Sequence, residues 1–182
     1  MGSKFLFAAA ALLAASPAAA AVTVLGNTSA RLCYEAAESR ISPSQSLIRR
    51  CDEAIQQETL SDYDLVATLV NRGILKARLG EVDDAIVDYD AALRRDPDEA
   101  EAYLNKGFAL LHVPDAAQQA RPMFDTALEK RTRKPALAYY GRAVANELTG
   151  QVRAAYNDYL EASRLDPKWR DPQVELTRFR VR

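Results

Sequence analysis

The sequence has little of the chemistry that enzymes and metal sites use. Its 182 residues include only two cysteines and one histidine, His112. There is no glycine-rich phosphate loop, no G-x-S-x-G and no H-E-x-x-H motif. We interpret His112 as a helix-end residue, because no second histidine can join it in a site. We therefore expect no enzymatic activity, no cofactor and no metal.

Charge of one sign and period-two alternation are also scarce. The formal net charge is −1, which argues against nucleic acid or an anionic membrane as the partner. No segment alternates apolar and polar residues, so we expect no β-sheet. Apolar residues make up 48% of the chain and charged residues 27%, which is typical of a globular protein rather than a disordered one.

The first 20 residues have the organisation of a secretory signal peptide. Lys4 precedes an apolar stretch over 5–15, and small residues at 18–20 form a cleavage site before Ala21. The apolar stretch is too short to span a bilayer, although an uncleaved N-terminal anchor is the alternative. We expect an exported protein, periplasmic in a Gram-negative source, with no integral membrane segment in the mature chain.

The rest of the chain repeats with a period near 35 residues. Each unit has an alanine, an aromatic residue four positions later and a second alanine three positions after that. The three sets are Ala85, Tyr89 and Ala92; Ala120, Phe124 and Ala127; and Ala155, Tyr159 and Ala162. A fixed period of this size predicts stacked supersecondary units.

These residues resemble the tetratricopeptide repeat. Gly73, Gly107 and Ala143 stand at its small position in the first helix, and Asp96-Pro97 and Asp166-Pro167 end two of the units. The resemblance implies an all-α, α-α superhelix of antiparallel helix pairs with a C-terminal capping helix. It covers 66–167, and the second unit departs from the pattern at Pro114 and around 130–135.

The resemblance and the helix signals together divide the chain. The expected parts are a signal peptide over 1–20, an extended segment with a degenerate helix pair over 21–65, repeats over about 66–99, 100–135 and 136–169, and a cap over 170–182. The predicted repeat helices are 62–79, 82–95, 99–112, 116–130, 135–149 and 152–165. In the degenerate pair, we expect Ser42 to cap a helix that begins at Pro43.

Cys33 and Cys51 lie on the two helices of this degenerate pair. In an exported protein, two cysteines on neighbouring helices indicate a disulfide bond. Two separate buried thiols are the alternative.

Charged residues recur in the repeats. Arg72 and Arg142 are each followed 16 residues later by an aspartate, Asp88 and Asp158, so we expect an ion pair within each of these units. Lys106 has the same place in the second unit without such an aspartate. We therefore predict that Lys106 is a basic residue free to contact a ligand.

The resemblance implies a concave groove lined by the first helix of each unit. The predicted lining residues are Val70, Asn71, Ile74, Leu104, Asn105, Phe108, Leu111, Tyr140, Val144 and Leu148. Asn71 and Asn105 could hold a peptide backbone through their side-chain amides. This predicts a non-catalytic adaptor in the cell envelope that binds an unidentified partner protein or peptide.

The alternative is a structural or self-associating subunit whose groove is filled by its own termini. The filling segment is then residues 22–25 or the C-terminal helix, because apolar grooves on exported proteins are normally covered. Homo-oligomerisation is left open by the sequence.

Overall fold

A computed structural model describes residues 20–25, 28–39 and 41–179. The predicted signal peptide therefore lies outside the described residues, apart from Ala20. Within the described ranges there are nine α-helices and no strand, which confirms the all-α prediction. The helices are α1 Thr28–Glu38, α2 Gln45–Gln57, α3 Asp62–Arg78, α4 Val82–Arg95, α5 Ala100–Leu111, α6 Ala117–Glu129, α7 Pro135–Leu148, α8 Val152–Leu165 and α9 Arg170–Leu176.

The helices stack as successive pairs. Helices α1 and α2, α3 and α4, α5 and α6, and α7 and α8 pack together, and α9 covers the end of the array on α8. The first helices of the pairs also touch one another, α1 with α3, α3 with α5, and α5 with α7. They therefore form one continuous face, which is where the sequence predicts the groove. None of the described helices is both long and apolar enough to cross a membrane.

The turn inside each pair is set by one residue with positive φ. Gly80 (φ 84°) and Gly150 (φ 78°) follow α3 and α7, in the left-handed region that glycine occupies without steric cost. The second unit lacks such a glycine, and Asp115 takes φ 60° in its turn instead. Arg131 after α6 has φ 62°, so this unit contains two strained residues where its sequence departs from the repeat.

The start of α2 differs from the prediction. The helix begins at Gln45, and Ser44 rather than Ser42 is the residue before it. Ser44 is extended (φ −147°, ψ 157°), and its carbonyl accepts the first helical bonds from the amides of Leu47 and Ile48. Pro43 thus lies outside the helix, because an extended Ser44 cannot continue a turn that begins before it.

Contact between small and aromatic residues sets the spacing within each pair. A Cβ atom placed on Gly73 would lie 2.5 Å from Cε1 of Tyr89, and one on Gly107 would lie 2.8 Å from Cε1 of Phe124. At the same position Ala143 is fully buried and belongs to one apolar cluster with Tyr159. The first helix therefore approaches the second as closely as the ring permits, as the sequence predicts.

Ion pairs join the helices on another side of the array. Nη2 of Arg72 lies 2.6 Å from Oδ1 of Asp88, and Nη2 of Arg142 lies 2.7 Å from Oδ1 of Asp158, which confirms both predicted pairs. Each guanidinium also reaches back to the preceding helix pair, Arg72 to Asp52 and Arg142 to Asp125, both at 2.7 Å. One arginine thus links three helices, and its half-buried charge is fully compensated.

The first helix pair is closed by the Cys33–Cys51 disulfide bond, as the sequence predicts. Both cysteines are fully buried and join α1 to α2 across 18 positions of sequence. This pair has a neighbouring pair on one side only, so it gains less from stacking than the central units do. The covalent link compensates by limiting the conformations of the unfolded chain.

Replacing Gly73 by alanine is expected to lower the free energy of unfolding by about 1–3 kcal/mol, because the added methyl group overlaps the ring of Tyr89. Elsewhere in a helix the same change raises stability by roughly 1 kcal/mol. Urea denaturation measures the difference, and Gly107→Ala is expected to behave in the same way. A Gly73→Ala protein as stable as the wild type would contradict the close contact.

Removing the disulfide bond with the double variant Cys33→Ala, Cys51→Ala is expected to lower the free energy of unfolding by about 3 kcal/mol. Urea denaturation with and without a reductant provides the control. The reductant must destabilise the wild type by a similar amount and leave the double variant unchanged. Equal stability of the oxidised and reduced wild type would refute the stabilising role.

Candidate functional site

The candidate site is the face formed by α3 and α5, and residues 20–25 of the chain lie on it. Asn71 of α3 binds both backbone groups of Val22. Its Oδ1 accepts from the Val22 amide at 2.9 Å, and its Nδ2 donates to the Val22 carbonyl at 2.7 Å. Asn71 is fully buried, so this pair of bonds is shielded from water.

Asn105 has the equivalent place on α5 and binds the preceding part of the segment. Its Nδ2 donates to the carbonyl of Ala20 at 3.0 Å and to the carbonyl of Glu101, one turn earlier, at 2.8 Å. The two predicted asparagines therefore hold an extended backbone. That backbone belongs to the same chain.

Two residues that the sequence reasoning missed complete the contacts to the segment. Asp64 of α3 accepts from the Leu25 amide at 2.8 Å, and Arg133, between α6 and α7, donates to the carbonyl of Ala21 at 3.3 Å. Ser61 holds the Asp64 carboxylate with its hydroxyl at 2.8 Å. The acidic residue at a helix start and the basic loop residue have ordinary local explanations, so neither carries a sequence signal of this role.

The side chains of the segment are also enclosed. Ala20, Val22 and Val24 are 2%, 1% and 7% exposed, whereas Leu25 is 80% exposed. Burying a valine side chain stabilises by about 1.5–3 kcal/mol, before the cost of ordering the segment. Apolar contact and backbone hydrogen bonding both contribute to holding residues 20–25.

The structure divides the predicted lining residues into two groups. Val70, Asn71, Ile74, Leu104 and Asn105 are buried on the part of the face that holds residues 20–25. Phe108, Leu111 and Tyr140 are half-buried, Val144 is buried and Leu148 is exposed, and these five lie nearer the third repeat.

The third repeat does not continue the row of asparagines. Gly141 takes that place, and it lies against the rings of Phe124 and Phe108. Tyr140 stacks on Trp169, with ring centroids 4.8 Å apart. This end of the face is therefore partly covered by aromatic residues of the chain itself.

Lys106 is not free, so this prediction is wrong. Its Nζ lies 2.5 Å from Oδ1 of Asp90 on α4, in the preceding helix pair. Arg72 and Arg142 make the same backward contact, so Lys106 keeps the bond between units and loses only the bond within its own unit. Asp90 and Asp125 are 35 residues apart, a spacing from which the backward pairs could have been predicted.

An acidic pair lies beside the segment. Glu101 is 3% exposed, and its Oε1 accepts from Nε of Arg133 at 3.1 Å and from the Arg133 amide at 2.8 Å. Glu99 is half-buried one residue before α5, and burial together with the charge of Glu101 raises its pKa to about 7. Two carboxyl groups thus share one guanidinium.

His112 ends α5 and is exposed, as predicted. Among the described residues, no group of three or more histidine, cysteine, aspartate or glutamate side chains is arranged to hold a metal ion.

Comparison with known proteins supports the repeat identity. The family model described as the TPR repeat matches residues 75–112, from the end of α3 to the end of α5, which confirms the resemblance. Two solved structures have the same fold with a TM-score of 0.62: MamA 41-end from Desulfovibrio magneticus RS-1 and the MamA RS-1 ArsTM double mutant. Each is 23% identical, with 72% of this chain and 71% of that chain covered. No curated protein gives a significant match.

The raised pKa of Glu99 gives stability a pH dependence in any chain that keeps the Ala20–Ala21 peptide bond. The folded state retains the Glu99 proton up to pH about 7, whereas an unfolded glutamate releases it near pH ~4.3. Between these values the folded state binds more protons, so the free energy of unfolding decreases as pH rises, by the order of 1 kcal/mol.

Urea denaturation at pH 5, 6 and 7 measures this slope, which Glu99→Gln is expected to remove. Glu35→Gln is the matched control, because Glu35 lies exposed on α1, paired only with Arg31. A slope of equal size in Glu99→Gln and in the control would show that Glu99 is not its source.

Proposed function

We propose that this tetratricopeptide-repeat chain is an exported, non-catalytic adaptor that holds an extended segment of a partner protein on the α3–α5 face. The fold is one that proteins commonly use for binding other proteins. The proposal deepens that general role by naming a face and a type of ligand. The observation that carries it is the pair of bonds between Asn71 and the backbone of Val22.

Recognition through the backbone does not depend on which chain supplies the segment. The bonds to Ala20, Ala21, Val22 and Leu25 all go to amide or carbonyl groups. The side chains enclosed on the face are small or β-branched. A partner segment with alanine or valine at alternating positions would meet the same donors, acceptors and apolar contacts. Residues 20–25 act in this proposal as an internal occupant that the partner displaces.

A non-catalytic role is supported by what the charged residues of the repeats do. Arg72, Lys106 and Arg142 are each held by aspartates in ion pairs between helices. Such residues stabilise the stack and are not poised for chemistry. Export is supported by the predicted signal peptide and by the Cys33–Cys51 bond, since disulfide bonds persist in oxidising compartments.

A structural or self-associating subunit is the second candidate function. It is favoured by the depth at which Val22 is buried and by the stacking of Tyr140 on Trp169. In this case residues 20–25 are a permanent brace between α3 and α5. The two candidates differ in whether the face binds a peptide once the segment has been expelled.

A labelled peptide with the sequence Ala-Ala-Val-Thr-Val-Leu tests the adaptor. The protein partner is the double variant Val22→Asp, Val24→Asp, because two carboxylates cannot occupy the apolar face and the segment leaves it. We expect saturable binding to this variant by fluorescence polarisation and much weaker binding to the wild type. Adding Asn71→Leu should weaken binding about tenfold or more, as two buried hydrogen bonds are lost.

The matched control for Asn71→Leu is Asn157→Leu, since Asn157 is an exposed asparagine on α8. This control should bind the peptide as tightly as the double variant alone. A folded double variant that binds no peptide would contradict the adaptor. Formation of oligomers in sedimentation, with no peptide bound, would favour the structural subunit.

A further inference from the structure

The bond at which the signal peptide is predicted to be cut lies on the α3–α5 face. The predicted cut falls between Ala20 and Ala21, which are 2% and 8% exposed. The carbonyl of Ala20 is held by Asn105 and that of Ala21 by Arg133. A folded chain therefore encloses this bond, so cleavage has to precede the docking of the segment.

Cleavage there converts the Ala21 amide nitrogen into a charged amino terminus. A carbonyl oxygen and the nitrogen that follows it are about 2.3 Å apart in a peptide bond. The Ala20 oxygen lies 3.0 Å from Nδ2 of Asn105. The Ala21 nitrogen is consequently within about 5 Å of Asn105. An ammonium group enclosed at this depth requires a counter-charge.

The surroundings of Ala21 supply that counter-charge. Glu101 lies one turn before Asn105 on α5, and Arg133 bridges it to the carbonyl of Ala21. In the described part of the chain, each hydrogen bond accepted by the Glu101 carboxylate ends on Oε1. Glu99 adds a second carboxyl group, and the remaining charged contact to the segment is Asp64. Three acidic groups thus face one cation, Arg133.

We propose that the amino terminus created at Ala21 is bound on this face by the carboxylate of Glu101, beside the amide of Asn105. The ligand of the site is the ammonium group of the mature chain itself. This inference rests on the proposed export, because it requires the signal peptide to be removed before Ala21. Its positive charge balances the excess of carboxyl groups that raises the pKa of Glu99 in the uncut chain.

Binding of the terminus makes docking of the segment sensitive to where the leader is cut. A cut one residue earlier leaves the ammonium group one residue farther from Glu101, and a cut one residue later removes the Ala21 carbonyl from Arg133. The correctly cut chain is then the form whose own segment holds the face most tightly. A partner segment has to displace this form.

The test compares two proteins, prepared by proteolytic removal of an N-terminal tag, that begin at Ala21 and at Ala20. The pH dependence of acylation at the amino terminus, followed by mass spectrometry, gives the pKa of each α-amine. For the chain that begins at Ala21 we expect a pKa about one unit or more above the ordinary value of about 7.7–8.0. The Ala20 chain and Glu101→Gln in the Ala21 chain should both return it to the ordinary value.

Glu35→Gln, on exposed α1, is the matched control and should leave the raised pKa unchanged. If Glu101→Gln does not fold, the comparison of the Ala21 and Ala20 chains decides. An ordinary pKa in the Ala21 chain, equal to that in the Ala20 chain, would overturn the inference.

The mass of the exported protein locates the natural terminus. A cut elsewhere would overturn the inference even if the amine site exists in the prepared chain. The peptide-binding experiment reports on the adaptor separately, so failure of one proposal is distinguishable from failure of the other.

Discussion

The fold depends on one contact that recurs in each repeat, a residue with almost no side chain against a residue with a buried ring. Gly73 meets Tyr89, and Gly107 meets Phe124, at distances that leave no room for a methyl group. This contact fixes the separation of the two helices in a pair. Because the separation recurs, successive first helices come to lie side by side and form a face. The row of asparagines and the segment that they hold exist only because that face is continuous.

Features that recur within one unit could be predicted from the sequence. The helix pairs, the Gly73–Tyr89 contact and the Arg72–Asp88 pair each follow from spacings shorter than 20 residues that return near every 35. Contacts that cross units were harder to predict. Lys106 seemed free because only its own unit was considered, whereas the structure pairs it with the preceding one. The start of α2 was misplaced because two serines flank Pro43 and the sequence does not distinguish them.

The candidate site was predictable in its chemistry and less so in its occupant. The pattern identified Asn71 and Asn105 as groups that bind a peptide backbone, and both do so. The segment that fills the face was one of two named in the sequence-based alternative. Arg133 and Glu101 could not have been identified, since their role depends on where a loop after α6 meets a segment over 100 residues earlier. No local periodicity encodes a contact of that kind.

The bond from Arg133 to Ala21 joins positions 112 residues apart. With the Cys33–Cys51 link, it closes the part of the protein from α1 to α6 upon itself, whereas α7–α9 are attached at one side only. Cooperativity is therefore unevenly distributed along an architecture whose units usually couple only to their neighbours. Mechanical load or heat meets a stiff, ring-closed block followed by a compliant end. Anything that pulls on the C-terminal repeat deforms that repeat first and leaves the block behind it intact.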